Sequence, residues 1–130
     1  MDNVITIIGN LTRDPELRFT SGGTPVANLG VAVNDRYQVN GVWDTEVSFF
    51  DVVAWKQLGE NAARSLHKGD RVTVNGRMRQ RTYETVAGDR KTVFELVATD
   101  IAVSLRFATI DGITKTNGKV AEEAEAPAAA

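Results

Sequence analysis

Residues 71–83 read Arg71-Val72-Thr73-Val74-Asn75-Gly76-Arg77-Met78-Arg79-Gln80-Arg81-Thr82-Tyr83. Successive side chains of a β-strand point to opposite faces, so Val72, Val74, Gly76 and Met78 share one side. Arg71, Arg77, Arg79, Arg81 and Tyr83 share the other. Neighbours on one strand face stand about 6.5–7 Å apart, a spacing similar to that of phosphates along an extended polynucleotide. Guanidiniums in a row repel one another. A purely structural strand would need cross-strand carboxylates to offset that repulsion, and Glu95 is one such partner.

The flanking sequence extends this strand into a small β protein. Before it, Leu58, Ala62 and Leu66 recur four residues apart and Lys68-Gly69-Asp70 follows, which predicts a short helix over Lys56–His67 with Gly69 just past its end. After it, Gly88-Asp89 predicts a turn into a strand from Arg90 to Thr99 or beyond. Upstream, Val4–Ile8 is β-branched throughout, with Gly9 available for a bend. Glu16–Thr20 is a shorter strand candidate, followed by Gly22-Gly23. Val26–Asn34 places Ala27, Leu29, Val31 and Val33 on one face. Asn40-Gly41 suits a tight hairpin because both residues tolerate positive φ, and it joins a strand ending near Val39 to one over Glu46–Trp55. The expected fold class is all-β, a five-stranded OB-fold barrel with one short helix between strands 3 and 4. An SH3-like barrel or a small β-sandwich shares the same periodicity.

Composition narrows the chemistry. The 130 residues, 42% apolar and 25% charged, fit one globular domain. With no cysteine and a single histidine, His67, thiolate metal sites, cysteine nucleophiles and multi-histidine clusters are excluded. No apolar run approaches a membrane span, and the N-terminus does not read as a signal peptide, so a soluble cytoplasmic protein is expected. The net charge is only −2, but residues 71–91 set six basic residues against Glu84 and Asp89. That uneven distribution favours a polyanionic partner more than the total suggests. From Ala108 onward the apolar alternation stops and the sequence ends Ala-Glu-Glu-Ala-Glu-Ala-Pro-Ala-Ala-Ala. The expected division is therefore an ordered domain over 1–107 and a disordered acidic, alanine-rich tail over 108–130.

Aromatic residues supply the second signal. On the strand ending at Trp55, Phe49, Asp51, Val53 and Trp55 share one face and Phe50, Val52 and Ala54 the other. Both faces are apolar enough to be buried, so parity alone leaves open which looks inward. Tyr37 beside Arg36, and Trp43, flank the Asn40-Gly41 turn as either packing pairs or contact residues. No Gly-x-Ser-x-Gly elbow, P-loop or Gly-x-Gly-x-x-Gly fingerprint is present, and no enzyme or cofactor is expected. Asp35, Asp44, Glu46 and Asp51 are the acids that a metal-dependent nuclease on this scaffold would need to bring together. A barrel whose arginines pair with acidic protein partners is a further alternative.

Gly9-Asn10-Leu11-Thr12-Arg13-Asp14-Pro15-Glu16-Leu17-Arg18-Phe19, Val26-Ala27-Asn28 and Leu66-His67-Lys68-Gly69-Asp70-Arg71-Val72 closely resemble the bacterial and phage single-stranded DNA-binding protein family. Gly76-Arg77-Met78-Arg79 and Ser104-Leu105-Arg106-Phe107 fit it too, and the resemblance covers about residues 3–107 in order. It implies an OB-fold, assembly as a homotetramer and sequence-independent binding of single-stranded DNA in replication, recombination and repair. The stacking aromatics of the family fall on Tyr37, Phe49, Trp55 and Tyr83; the first, second and fourth are often tryptophan there. Arg79 and Arg81 match basic backbone-contacting positions, while Gln57 stands where lysine is common. Phosphate contact is accordingly expected from Arg13, Arg18, Arg36, Lys56, Arg71, Arg77, Arg79, Arg81, Arg90 and Lys91. Family members commonly end in an acidic tip with a Pro-Phe pair that docks replication proteins, whereas this sequence ends Pro127-Ala128-Ala129-Ala130. Recruitment by that route is therefore not expected, and a phage-encoded or paralogous member acting on DNA in the host cytoplasm would suit so short a tail.

Overall fold

The structure is a computed structural model that describes residues 3–116. Six strands and one helix follow in chain order: β1 (Val4–Leu11), β2 (Glu16–Phe19), β3 (Pro25–Val39), β4 (Val42–Trp55), α1 (Lys56–Ser65), β5 (Arg71–Glu84) and β6 (Arg90–Val103). β1 pairs antiparallel with β5, β5 with β6, and β3 with β4. A short parallel contact, Val52↔Leu96 and Val53↔Val97, joins β4 to β6. Pairing of Asn10 and Leu11 on β1 with Ala32 and Val31 on β3 closes the ring. Five long strands thus form a barrel, and β2 adds a four-residue ribbon outside β3. Counted among the long strands, the helix falls between the third and fourth, as the pattern predicts.

Alternation explains the closure. Ile7 and Leu11 of β1, Leu29 and Val31 of β3, Val52 and Ala54 of β4, Val72 and Val74 of β5 and Leu96 of β6 all point into one core. Each is flanked by residues facing outward, the arrangement of a sheet closed on itself. At Asn75/Gly76 the β5–β6 register shifts: Asn75 opposes Asp100 and Gly76 opposes Ala98. The extra residue, Thr99, lies on β6, and its hydroxyl donates to the Asn75 carbonyl at 2.9 Å. β5 therefore keeps an unbroken alternation through its arginines.

Two expectations about boundaries change. β3 ends at Val39 as expected, but β4, expected from about Glu46, begins at Val42, so both strands run without a break to the turn, where Asn40 (φ 52) and Gly41 (φ 80) adopt the left-handed geometry. Cross-strand hydrogen bonding carries them past the core, where the polar residues give no hydrophobic alternation to read. The helix stops at Ser65, and Gly69 (φ 92) serves the turn that follows instead of the helix end. Asp70 shapes that turn, its carboxylate accepting from the His67 amide at 2.8 Å.

Residues 108–116 form neither helix nor strand and are exposed; one hydrogen bond, from Asn61 Nδ2 to Thr116 Oγ1 at 2.9 Å, ties them to α1. The rest of the expected tail, 117–130, with its acidic residues and final alanines, lies outside the described residues. No helix among the described residues is long and apolar enough to cross a membrane.

α1 covers one end of the barrel through Leu58, Gly59 and Ala62. A methyl group on Gly59 would overlap the Ala54 carbonyl oxygen, so glycine lets the helix lie directly on the β4 backbone. Gly59→Ala is expected to lower stability by about 1–2 kcal/mol, opposite in sign to the gain of up to ~1 kcal/mol in an ordinary helix interior. Urea unfolding measures the difference, and a stabilised variant would contradict this packing.

Candidate nucleic-acid interface

With Val72, Val74 and Gly76 committed to the core, Arg77, Arg79, Arg81 and Tyr83 emerge on the outer wall, all exposed. Their balance depends on Glu95 of β6, opposite Arg79 in the register and only 8% exposed. Arg79 Nη2 donates to Glu95 Oε1 at 3.0 Å, and Arg81 Nε lies 3.6 Å from Glu95 Oε2. One carboxylate therefore serves two guanidiniums, both about half exposed. Among the described residues, no carboxylate reaches Arg77. The structural alternative is realised in part: Glu95 holds two members of the row but leaves it net positive. Arg81 also lies 5.3 Å from the centre of the Tyr83 ring.

β4 supplies the rings. Burial of Val52 and Ala54 sends the odd-numbered residues outward, where Phe49 is 75% and Trp55 37% exposed. Asp51 stands between them on the same face. Trp55 also occupies the N-cap position of α1 without a side-chain capping bond, and Lys56, the next residue, adopts φ 60, a left-handed conformation that costs a non-glycine residue about 1–2 kcal/mol. That strain turns the chain sharply from strand to helix beside the exposed indole.

The β5–β6 hairpin, β2 and the outer wall of β4 enclose a groove of about 380 Å³. Arg13, Arg18, Arg81 and Tyr83 line it together with Glu16, Asp51 and Glu95. Arg18 is ion-paired with Glu16. Arg13 lies across Gly30, where a methyl group would overlap its Nη1 and the Thr12 hydroxyl. Lys91 opposes Tyr83 and so joins the arginine face.

Other expected contact residues stand apart. Arg90 opposes Glu84 on the reverse face of the hairpin, because the one-residue step from Lys91 flips its side chain. Arg71 sits at the far end of β5, half-buried, 5.9 Å from the Phe107 ring, with its Nε unpartnered among the described residues. Tyr37 opposes Asp44 and donates to its carboxylate at 3.2 Å, on the opposite face of the β3–β4 hairpin from Phe49. Arg36 is near the tip of that hairpin, stacked 4.9 Å from the centre of the Trp43 ring. Trp43, weighed as a packing or contact residue but left out of the stacking set, is 59% exposed on the Phe49 face. Its odd number on β4, shared with Phe49 and Trp55, was the available signal. The acids of the nuclease alternative divide: Asp35, Asp44 and Glu46 share one face of the hairpin and Asp51 faces the other way. Among the described residues no three His, Cys, Asp or Glu side chains group to hold a metal ion.

The chain matches the model of the single-strand binding protein family over residues 2–104. It is 47% identical over 113 residues to a protein of Corynebacterium glutamicum named single-stranded DNA-binding protein, covering 85% of this chain and 50% of that one. A protein of the same name from Mycobacterium tuberculosis is 48% identical over 111 residues, 83% of this chain and 68% of the relative. Single-stranded DNA-binding protein 2 of Streptomyces coelicolor is 46% identical over 121 residues, 91% and 60% of the two chains. The chain thus spans from half to about two thirds of the length of these relatives.

Glu95→Gln keeps the side chain's shape while removing the negative charge shared by Arg79 and Arg81. The variant is expected to elute from immobilised heparin at higher salt than the parent; equal or earlier elution would show that the carboxylate does not restrain those guanidiniums.

Proposed function

This chain belongs to the single-strand binding protein family, and we propose that it binds single-stranded DNA without sequence preference, protecting it during replication, recombination and repair. The observation that carries this reading is the exposure of Phe49 and Trp55 on the outer face of β4, which β6 joins through Val97 to the arginine row of β5. A ring left in water on a closed barrel contributes nothing to the core. Bases of an unpaired strand offer it flat apolar faces, whereas those of a duplex are stacked on each other. The guanidiniums meanwhile neutralise phosphates and release condensed counterions, which is a sequence-independent driving force.

Stacking falls to Phe49, Trp55 and Tyr83, with Tyr37 reaching a strand from the other side of the β3–β4 hairpin. Arg77, Arg79 and Arg81 carry most of the phosphate contact, supported by Arg13, Arg18, Lys56 and Lys91. Arg36, Arg71 and Arg90, away from that row, contact the strand only where it continues beyond the groove. No catalytic step is involved. Assembly as a homotetramer is part of the same proposal: among the described residues, Val4–Ile8 of β1 pairs on one side only, with β5, while Val4 and Ile8 are exposed. Such an open, apolar strand edge suits pairing with another copy. The expected setting is the nucleoid in the cytoplasm.

Filter binding should show retention of oligo-dT far above that of duplex of equal length. The logarithm of affinity should fall with that of salt by about 0.7 per phosphate neutralised, or about 2 for three arginines. Changing Arg77, Arg79 and Arg81 together to alanine should flatten the slope by that amount; an unaltered slope would remove these residues from the interface. Phe49→Ala with Trp55→Ala should cost roughly 2–6 kcal/mol of binding while leaving the salt slope in place. Parental affinity in the folded double variant would reject stacking by these two rings.

A further inference from the structure

Trp43 is a large exposed ring that the stacking assignment above leaves out. It shares the outer face of β4 with Phe49 and Trp55, and the three rings recur at intervals of six residues. At a rise of about 3.3 Å per residue, each interval is about 20 Å along the strand. The residue directly across from Trp43 is Gln38, so no second ring or aliphatic side chain opposes it in the register. The Asn40-Gly41 turn already has the left-handed geometry a tight hairpin needs, without help from an indole. What does pack on Trp43 is the Arg36 guanidinium, 4.9 Å from the ring centre. Arg36 belongs to the same outer face, diagonally across the hairpin.

An indole with an arginine on one side and solvent around the rest combines the two groups a single strand needs: a flat face for a base and a cation for the adjoining phosphate. We propose that Trp43, with Arg36, is a third stacking station on β4, extending the DNA path from Trp55 past Phe49 to the tip of the β3–β4 hairpin. The inference rests on the single-stranded DNA reading and adds a residue and a direction to it. Tyr37, held by Asp44 on the reverse face, is not part of this row.

The chain contains two tryptophans, which makes the test direct. Trp55→Phe leaves Trp43 as the sole indole, and Trp43→Phe leaves Trp55. Each variant is titrated with oligo-dT of about 16 nucleotides, the upper end of site sizes for one OB-fold, while anisotropy of a dye on the oligonucleotide reports binding independently. Quenching of Trp43 emission in the Trp55→Phe protein, in step with anisotropy, is expected. Trp43→Ala should weaken binding about 5- to 150-fold, equivalent to losing one stacked base. Trp43→Phe should recover most of that loss, and neither change should alter the salt slope. Saturation without any change in Trp43 emission, or parental affinity in folded Trp43→Ala protein, would overturn the proposal. Those results leave the wider reading intact if the oligonucleotide still binds and Trp55 still responds; absence of binding by the parent protein would reject both.

Discussion

Burial of Val52 and Ala54 beside Ala27 and Leu29 in the barrel core is the constraint on which the interface depends. Side chains alternate with a period of two, so this burial determines the direction of every other residue on β4. A slip of one residue would turn Phe49, Asp51 and Trp55 inward and expose the aliphatic set. The β3–β4 register is continuous from Val26↔Trp55 to Val39↔Val42, so orientation imposed in the core is transmitted to the hairpin tip. There, with almost nothing buried, Trp43 and Tyr37 still face opposite ways.

The same logic operates on β5. Val72 and Val74 are inside, which places Arg77, Arg79 and Arg81 outside along one line. Their mutual repulsion is relieved by Glu95, whose carboxylate sits low between Arg79 and Arg81. Solvent screens this ion pair from the arginine side, where both guanidiniums are about half exposed. Its consequence is positional: the guanidiniums are held side by side with donor capacity still turned to solvent. A protein of overall charge −2 can therefore present a strongly basic wall, because its excess negative charge is distributed elsewhere.

Both long hairpins extend beyond the barrel with few buried side chains, in contrast to the base of the same strands. Segments of that kind open locally at lower free energy than core strands. The core thus provides a rigid wall carrying Phe49, Trp55 and Arg77, while the hairpin ends carry Tyr83, Trp43 and Arg36 on arms with little buried support.

The alternation in Arg71–Tyr83, the four-residue spacing of Leu58, Ala62 and Leu66, and the Asn40-Gly41 turn determined by themselves a small all-β protein with one short helix and a basic strand, and left barrel and sandwich closures both open. Those features are local, and local sterics and side-chain period suffice to read them. Which face of β4 is exposed was not legible, because Phe50-Val52-Ala54 and Phe49-Val53-Trp55 are both apolar and the distinction lies in what packs against them. The pairing of one Glu95 with two arginines, the reversal of Arg90 and the turning away of Tyr37 were likewise decided by register across the β5–β6 and β3–β4 hairpins. Only tertiary structure fixes such relations, since hydrogen-bonded pairing across a closed sheet sets them all at once.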